Sequence, residues 1–274
     1  MAKNTNEEMS FLEHLEELRW HIVRSAAAIV ICAVIAFIFS RFIFDFLLLA
    51  PKNPDFITNR LLCQLGEYLQ TAALCINSRS AFIIQNIQMA GQFKTDIMVS
   101  LIVGIIIAFP YIMWEVWRFI APALYDKERQ AAQGSVWAVS ALFLLGAAFG
   151  YLVIVPLSID FLGGYSTSVQ ISNQIALDSY FSTVAYVPLA TGVVFELPLL
   201  MIFLTKVGVV TPEFLKKYRK HAFIVLLVLS AIITPPDVFS QILVVLPLVA
   251  LYEASILLTK RTARKHQQII DNEK

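Results

Sequence analysis

Hydrophobic positions in this chain neither alternate nor recur every three or four residues. They gather into six long apolar runs, at residues 25–39, 97–114, 136–159, 180–205, 222–234 and 238–259, each closed by charge, proline or glycine. Runs of this length are helices, since a barrel strand would show only about ten residues of alternating polarity. The second and third runs carry no charge, the fourth holds only Glu196, and the last only Glu253. The pattern predicts an all-α, polytopic integral membrane protein with six spans at about 22–44, 96–117, 135–159, 180–205, 219–234 and 238–259, joined outside by a long loop at 51–95. The fifth and sixth spans are expected to be short. Thirteen helical residues reach only about 20 Å, against a hydrocarbon core near 30 Å. Arg41 and Asp45, spaced i and i+4 after the first run, are expected to pair at the interface.

Composition agrees with the pattern. Of 274 residues, 58% are hydrophobic and 15% charged, too apolar for one soluble core, so the surplus faces lipid. Disorder is excluded by the same numbers, a disulfide scaffold by three cysteines in so long a chain, and a nucleic-acid footprint by a net charge of +1. All but five of the 21 lysines and arginines fall in the segment before the first run, the 2–3 and 4–5 connections and the segment after the sixth, which puts both termini in the cytoplasm. The acidic flank ahead of the first run, with Glu13, Glu16 and Glu17, argues against a cleavable signal. One integral domain, 1–274, is expected.

Catalysis has no visible seat in this sequence. HExxH, GxSxG, P-loop and CxxC patterns are missing, and His14, His21, His221 and His266 lack metal-ligand spacing. His14 and His21 do share a helical face, yet solvated interfacial histidines are the better reading. No enzyme, cofactor or metal is expected. Among carboxylates, Glu196 in GVVFELP stands deep in the fourth run, where an unpaired charge costs on the order of 3 kcal/mol or more and normally marks a cavity or a polar partner. Pro188 and Pro198 are expected to kink that helix. Glu253, nearer the end of the last run, is read as structural, either snorkelling to the interface or pairing with Lys260 or Arg261.

Four segments in order carry a resemblance: HLEELRWHIVRS at 14–25, FIAPALYDKERQ at 119–130, GVVFELP at 192–198 and TPPDVFSQ at 234–241. Together they resemble the signature segments of the TatC family, the multi-spanning receptor subunits of the twin-arginine protein translocase. The resemblance implies a chain in the bacterial cytoplasmic (inner) membrane that binds twin-arginine signal peptides of folded cargo. It further implies assembly with single-span TatA/TatB-type subunits, self-association in a receptor complex, and export driven by the proton motive force. Glu17 and Glu128 would receive the two arginines, and Arg19 and Arg129 would position those carboxylates or hold them when no ligand is present. Phe119 would give an apolar contact, and Pro122 would shape the loop. Guanidinium offers a planar fork that a carboxylate accepts through two parallel hydrogen bonds, a geometry lysine does not reproduce. Glu196 would line an inner concavity, and Thr234 and Gln241 would dock partner subunits beside the hairpin turned at Pro235, Pro236 and Asp237. Pro51, Pro110, Pro122 and Asp237 are taken as structural.

The chain departs from the family pattern in two places. Trp20 and His21 replace part of the usual basic flank, which makes it titratable near neutral pH, and Glu115 stands in WEVW where glutamine is common. Glu115 is either a third acidic contact or a partner for Arg118. Cys63 and Cys75, twelve positions apart in the outer loop, are candidates for a disulfide worth roughly 3 kcal/mol in the chain-entropy model. Cys32, inside the first run, is a packing residue. The short fifth span suggests a locally thinned bilayer beside which a folded cargo could cross. Two other classes compete: a proton-coupled small-molecule transporter working through Glu196, and an intramembrane hydrolase, which lacks a nucleophile and base in register.

Overall fold

The computed structural model describes residues 11–68, 70, 82–120, 126–166, 168, 173–206, 210–234 and 238–272, with the side chains at 11–14, 65, 126–135, 206, 238–240 and 261–272 left undescribed. A run without glycine or proline forms the first long helix, α1, Phe11–Ile38. The chain then continues as α2, Ser40–Phe42, a π-helical turn, Ile43–Leu48, and a 3₁₀ turn, Ala50–Lys52, with Pro51 buried in it. Arg41 and Asp45 do not pair, contrary to expectation: neither is in an ion pair among the described residues. The π turn widens the helical repeat from Ile43 onward, so four positions no longer bring two side chains onto one line.

The segment expected as a loop at 51–95 is largely built. It holds α3, Ile57–Tyr68, and the strand β1, Ile83–Gln85, and its last five residues already belong to α4, Gly91–Ile120. In α3 the apolar residues Ile57, Leu61 and Leu62 fall at helical spacing, and Thr58 donates its hydroxyl to the Leu152 carbonyl. A second strand, β2, Gln174–Ala176, pairs in parallel with β1, Ile83 opposite Gln174, so the helical architecture carries a small two-stranded addition. Lys52 fastens this corner, donating to the Phe82 carbonyl at 3.0 Å with its ammonium 4.7 Å from the buried Phe82 ring.

Next come α5, Asp126–Phe149, a π turn, Gly150–Ile154, and α6, Val155–Gly164. The π turn ends just before Pro156, which has no N–H with which to continue the ladder. The fourth apolar run is two helices, α7, Leu177–Phe195, and α8, Leu197–Lys206. The break falls at Glu196, two residues ahead of Pro198: the proline cannot donate back to Val194, and the Glu196 N–H donates to the Val193 carbonyl at 3.1 Å, closing α7. Pro188 lies inside α7, so the interruption traces to Pro198. After α9, Pro212–Lys217, N-capped by Thr211, the chain ends in α10, Arg219–Ile233, and α11, Val238–Asn272.

Among the described residues, five stretches are long and apolar enough to cross a membrane: Leu15–Ile38, Gly91–Ile120, Val136–Gly164, Leu177–Thr205 and Gln241–Lys260. The fifth expected span, α10, has 15 residues, about 22 Å of helix. The last stretch is not short, contrary to expectation, since its 20 residues make about 30 Å. Helix α1 lies along α4, and α5 along α7. Gly104 makes the first contact possible, because a Cβ there would stand 2.7 Å from the Ala33 backbone nitrogen. The core lies between α4, α6, α7 and α11, around Val99, Val155, Phe181, Val184 and Leu248. Outward faces are equally apolar, with Ile31, Phe39 and Ile232 exposed, as lipid-facing helices require.

Candidate functional site

At the end of α4 that bears Arg118, one carboxylate is almost wholly enclosed: Glu115 is 1% exposed. Spacing on α4 puts Tyr111 (i−4) and Arg118 (i+3) on its face, and packing of α1 brings His21 and Arg24 from the other side. His21 Nδ1 lies 2.5 Å from Glu115 Oε2 and Arg24 Nε 3.6 Å from the same oxygen. On Oε1, Arg118 stands at 3.4 Å and the Tyr111 hydroxyl donates at 2.9 Å. A buried carboxylate is tolerable only with such partners, because desolvation costs several kcal/mol per ion unless charge and hydrogen bonds offset it. Of the two readings the sequence left for Glu115, partnership with Arg118 is what forms, enlarged by His21 and Arg24. Enclosure leaves this carboxylate no room to act as a third acidic contact.

Around this centre stand the residues expected to receive a ligand. Phe119, one turn beyond Glu115, is half-buried with its ring edge-on to His21, 5.9 Å between centroids. Glu17, one turn before His21 on α1, is partly buried and takes part in no ion pair among the described residues. Arg19 does not hold it: two positions apart on a helix, the side chains face different ways, and the Arg19 guanidinium lies 5.8 Å from the Trp20 ring. Glu128 and Arg129 lie in the first turn of α5, but their side chains are outside the description, as is Pro122 altogether.

Elsewhere the expectations meet a mixed result. Glu196 sits at the α7–α8 break, and its Oε1 is buried with no hydrogen-bond partner among the described residues. Glu253 pairs with Arg219 at 2.8 Å across the α10–α11 hairpin, not with Lys260 or Arg261, because α10 returns its first residue alongside α11. Thr234 is buried, caps α10 and donates to the Ser230 carbonyl at 2.8 Å, while Gln241 reaches across to the Leu227 carbonyl at 3.2 Å. Pro110 lies inside α4, and Asp237 is outside the described residues. Cys63 is disulfide-bonded and Cys32 is a free thiol; Cys75 is outside the described residues. Among the described residues no group of three or more His, Cys, Asp or Glu could hold a metal. The His21–Glu115 contact, 94 positions apart, is what sequence reasoning missed, although both residues had been marked separately as departures.

The family model for the Sec-independent protein translocase protein (TatC) matches residues 13–247. The chain belongs to the TatC family. It is 40% identical over 264 residues to the TatC of a Blattabacterium species, covering 96% of this chain and 99% of that protein. The TatC of Aquifex aeolicus is 36% identical, covering 95% and 99%. A crystal structure of a twin-arginine translocase receptor, TatC, superposes with a TM-score of 0.70 at 34% identity, over 90% of this chain and 98% of that one. This TatC-family chain is therefore a bacterial membrane protein and a component of the twin-arginine translocase.

Proposed function

We propose that this chain is the signal-receiving subunit of its translocase, six-spanning with both termini cytoplasmic, and that Glu17 and Glu128 take up the paired arginines of a signal peptide. The observation that carries the reading is the state of Glu17, a partly buried carboxylate one turn before His21 on α1 that makes no ion pair among the described residues. A carboxylate so placed accepts a guanidinium through two hydrogen bonds at a partly dehydrated surface, with Phe119 covering the apolar part of the ligand. Behind the site, Glu196 at the helix break offers a polar point for the inserted signal, and α10, too short for a normal bilayer, thins the membrane beside the hairpin. TatA/TatB-type subunits dock along that hairpin near Thr234 and Gln241, further copies of this chain join the receptor complex, and the proton motive force drives passage of the folded cargo. The rival use of Glu196, in a proton-coupled carrier of small solutes, has no support in the family match. The test is photocrosslinking in membranes: a probe placed at Phe119 or at Leu18, beside Glu17, captures a twin-arginine signal and spares its twin-lysine form. Capture from α11 alone would overturn the assignment of the site.

A further inference from the structure

Glu17, His21 and Arg24 stand at i, i+4 and i+7, on one face of α1. Two of them are basic side chains engaged by Glu115, and the third is the carboxylate assigned to the ligand. An i, i+4 pair with the acid on the N-terminal side is the favourable orientation on a helix, so a released His21 has Glu17 as its nearest acceptor. The groups facing His21 are Glu17 and Arg24 on its own helix and Glu115, Phe119, Tyr111 and Arg118 around its partner on α4. Of these, Glu115 is the single acid contributed by α4, and its Oε2 lies 2.5 Å from the imidazole Nδ1.

We propose that Glu115 is a positioning residue that holds this chain's own basic side chains, His21 above all, off Glu17, so that the receptor carboxylate is free for an arginine from outside. The inference rests on Glu17 being that receptor and adds a role for a buried residue that no ligand touches. His21 and Glu115 both depart from the family pattern, a histidine standing in the usual basic flank and a carboxylate where glutamine is common.

Binding of a twin-arginine signal peptide to the full chain in nanodiscs tests this, with Glu115→Gln, His21→Gln and the double variant, and with the twin-lysine peptide throughout. Glu115→Gln is expected to weaken binding about fivefold, roughly 1 kcal/mol, by freeing His21 to occupy Glu17. Adding His21→Gln removes the competitor and restores affinity to within about twofold, a rescue that mere support of the helix packing would not give. A double variant no better than Glu115→Gln overturns the proposal. Should Glu115→Gln fail to fold, His21→Gln alone decides: unchanged affinity supports the proposal, and a loss greater than about threefold overturns it by making His21 a necessary support. Failure of the unsubstituted chain to distinguish arginine from lysine would instead overturn the reading of Glu17 itself.

Discussion

Gly104 of α4 lies so close to Ala33 of α1 that a Cβ on it would meet the Ala33 nitrogen at 2.7 Å, Cα at 2.8 Å and Cβ at 2.9 Å. All three neighbours belong to Ala33, two of them backbone atoms, so nothing at this crossing yields by rotating a side chain. The close approach brings His21 to Glu115 further along the same helix pair. Gly104→Val is expected to destabilise the chain by about 2 kcal/mol through overpacking. It should also weaken signal binding, though residue 104 is remote from any ligand. Thermal unfolding in detergent and the peptide titration check the two effects separately.

Tyr180 caps the π turn Ile43–Leu48. Its buried hydroxyl donates to the Leu48 carbonyl at 3.0 Å, and Tyr151 donates to the Leu47 carbonyl at 2.6 Å. These carbonyls belong to the π turn, where helix continuation no longer satisfies them. Tyr180→Phe should cost about 1–2 kcal/mol, since it leaves a buried acceptor unpaired. Denaturation of the variant, compared with Tyr186→Phe, whose ring is exposed, gives the difference.

Arg219 and Glu253 form a well-shaped pair, yet both side chains are about half exposed. Such pairs contribute about 0–1 kcal/mol. Arg219→Gln is therefore expected to shift stability by less than about 1 kcal/mol, while a larger loss would show that the α10–α11 hairpin depends on it. The same melting experiment reads it.

Glu196 presents the opposite balance. Its buried Oε1 has no hydrogen-bond partner among the described residues, so replacing it with an apolar residue should raise stability by about 1–3 kcal/mol while lowering export. Glu196→Leu measured by unfolding and by transport of a folded reporter checks both halves. A variant less stable than the parent would show that the carboxyl serves packing.

Cys63 is oxidised and Cys32 is not. With Cys75 as the second sulfur, alkylation under denaturing, non-reducing conditions should tag one cysteine of the chain's three, and all three after reduction. Intact mass counts them. Loss of the bridge in Cys63→Ser is expected to cost the outer corner about 3 kcal/mol.

Much of this was legible in the sequence because membrane spans announce themselves by apolar length alone. The two uncharged runs became α4 and the α5–α6 rod, and the proline in FELP marked where α7 gives way to α8. What stayed hidden depended on partners far along the chain. The run preceding Pro51 could not reveal a π turn whose carbonyls are met by tyrosines about a hundred and more positions away. The outer segment read as a loop because the helix of α3 is amphipathic and short, beneath a signal tuned to long apolar runs. Glu253 was assigned to its sequence neighbours, while the fold supplied Arg219 from an antiparallel helix. In the same way the sequence showed Glu17 as an acid in a charged helix start, and only packing of α1 on α4 shows why its neighbouring basic side chains are engaged elsewhere.

The account stands most directly on one measurement: affinity of a twin-arginine signal peptide and its twin-lysine form for the chain in nanodiscs, with Glu17→Gln and Glu128→Gln alongside. Arginine-selective binding, weakened by about 2–5 kcal/mol by either substitution, is the expected result for a desolvated charge pair. Equal binding of both peptides, indifferent to both glutamates, would contradict it.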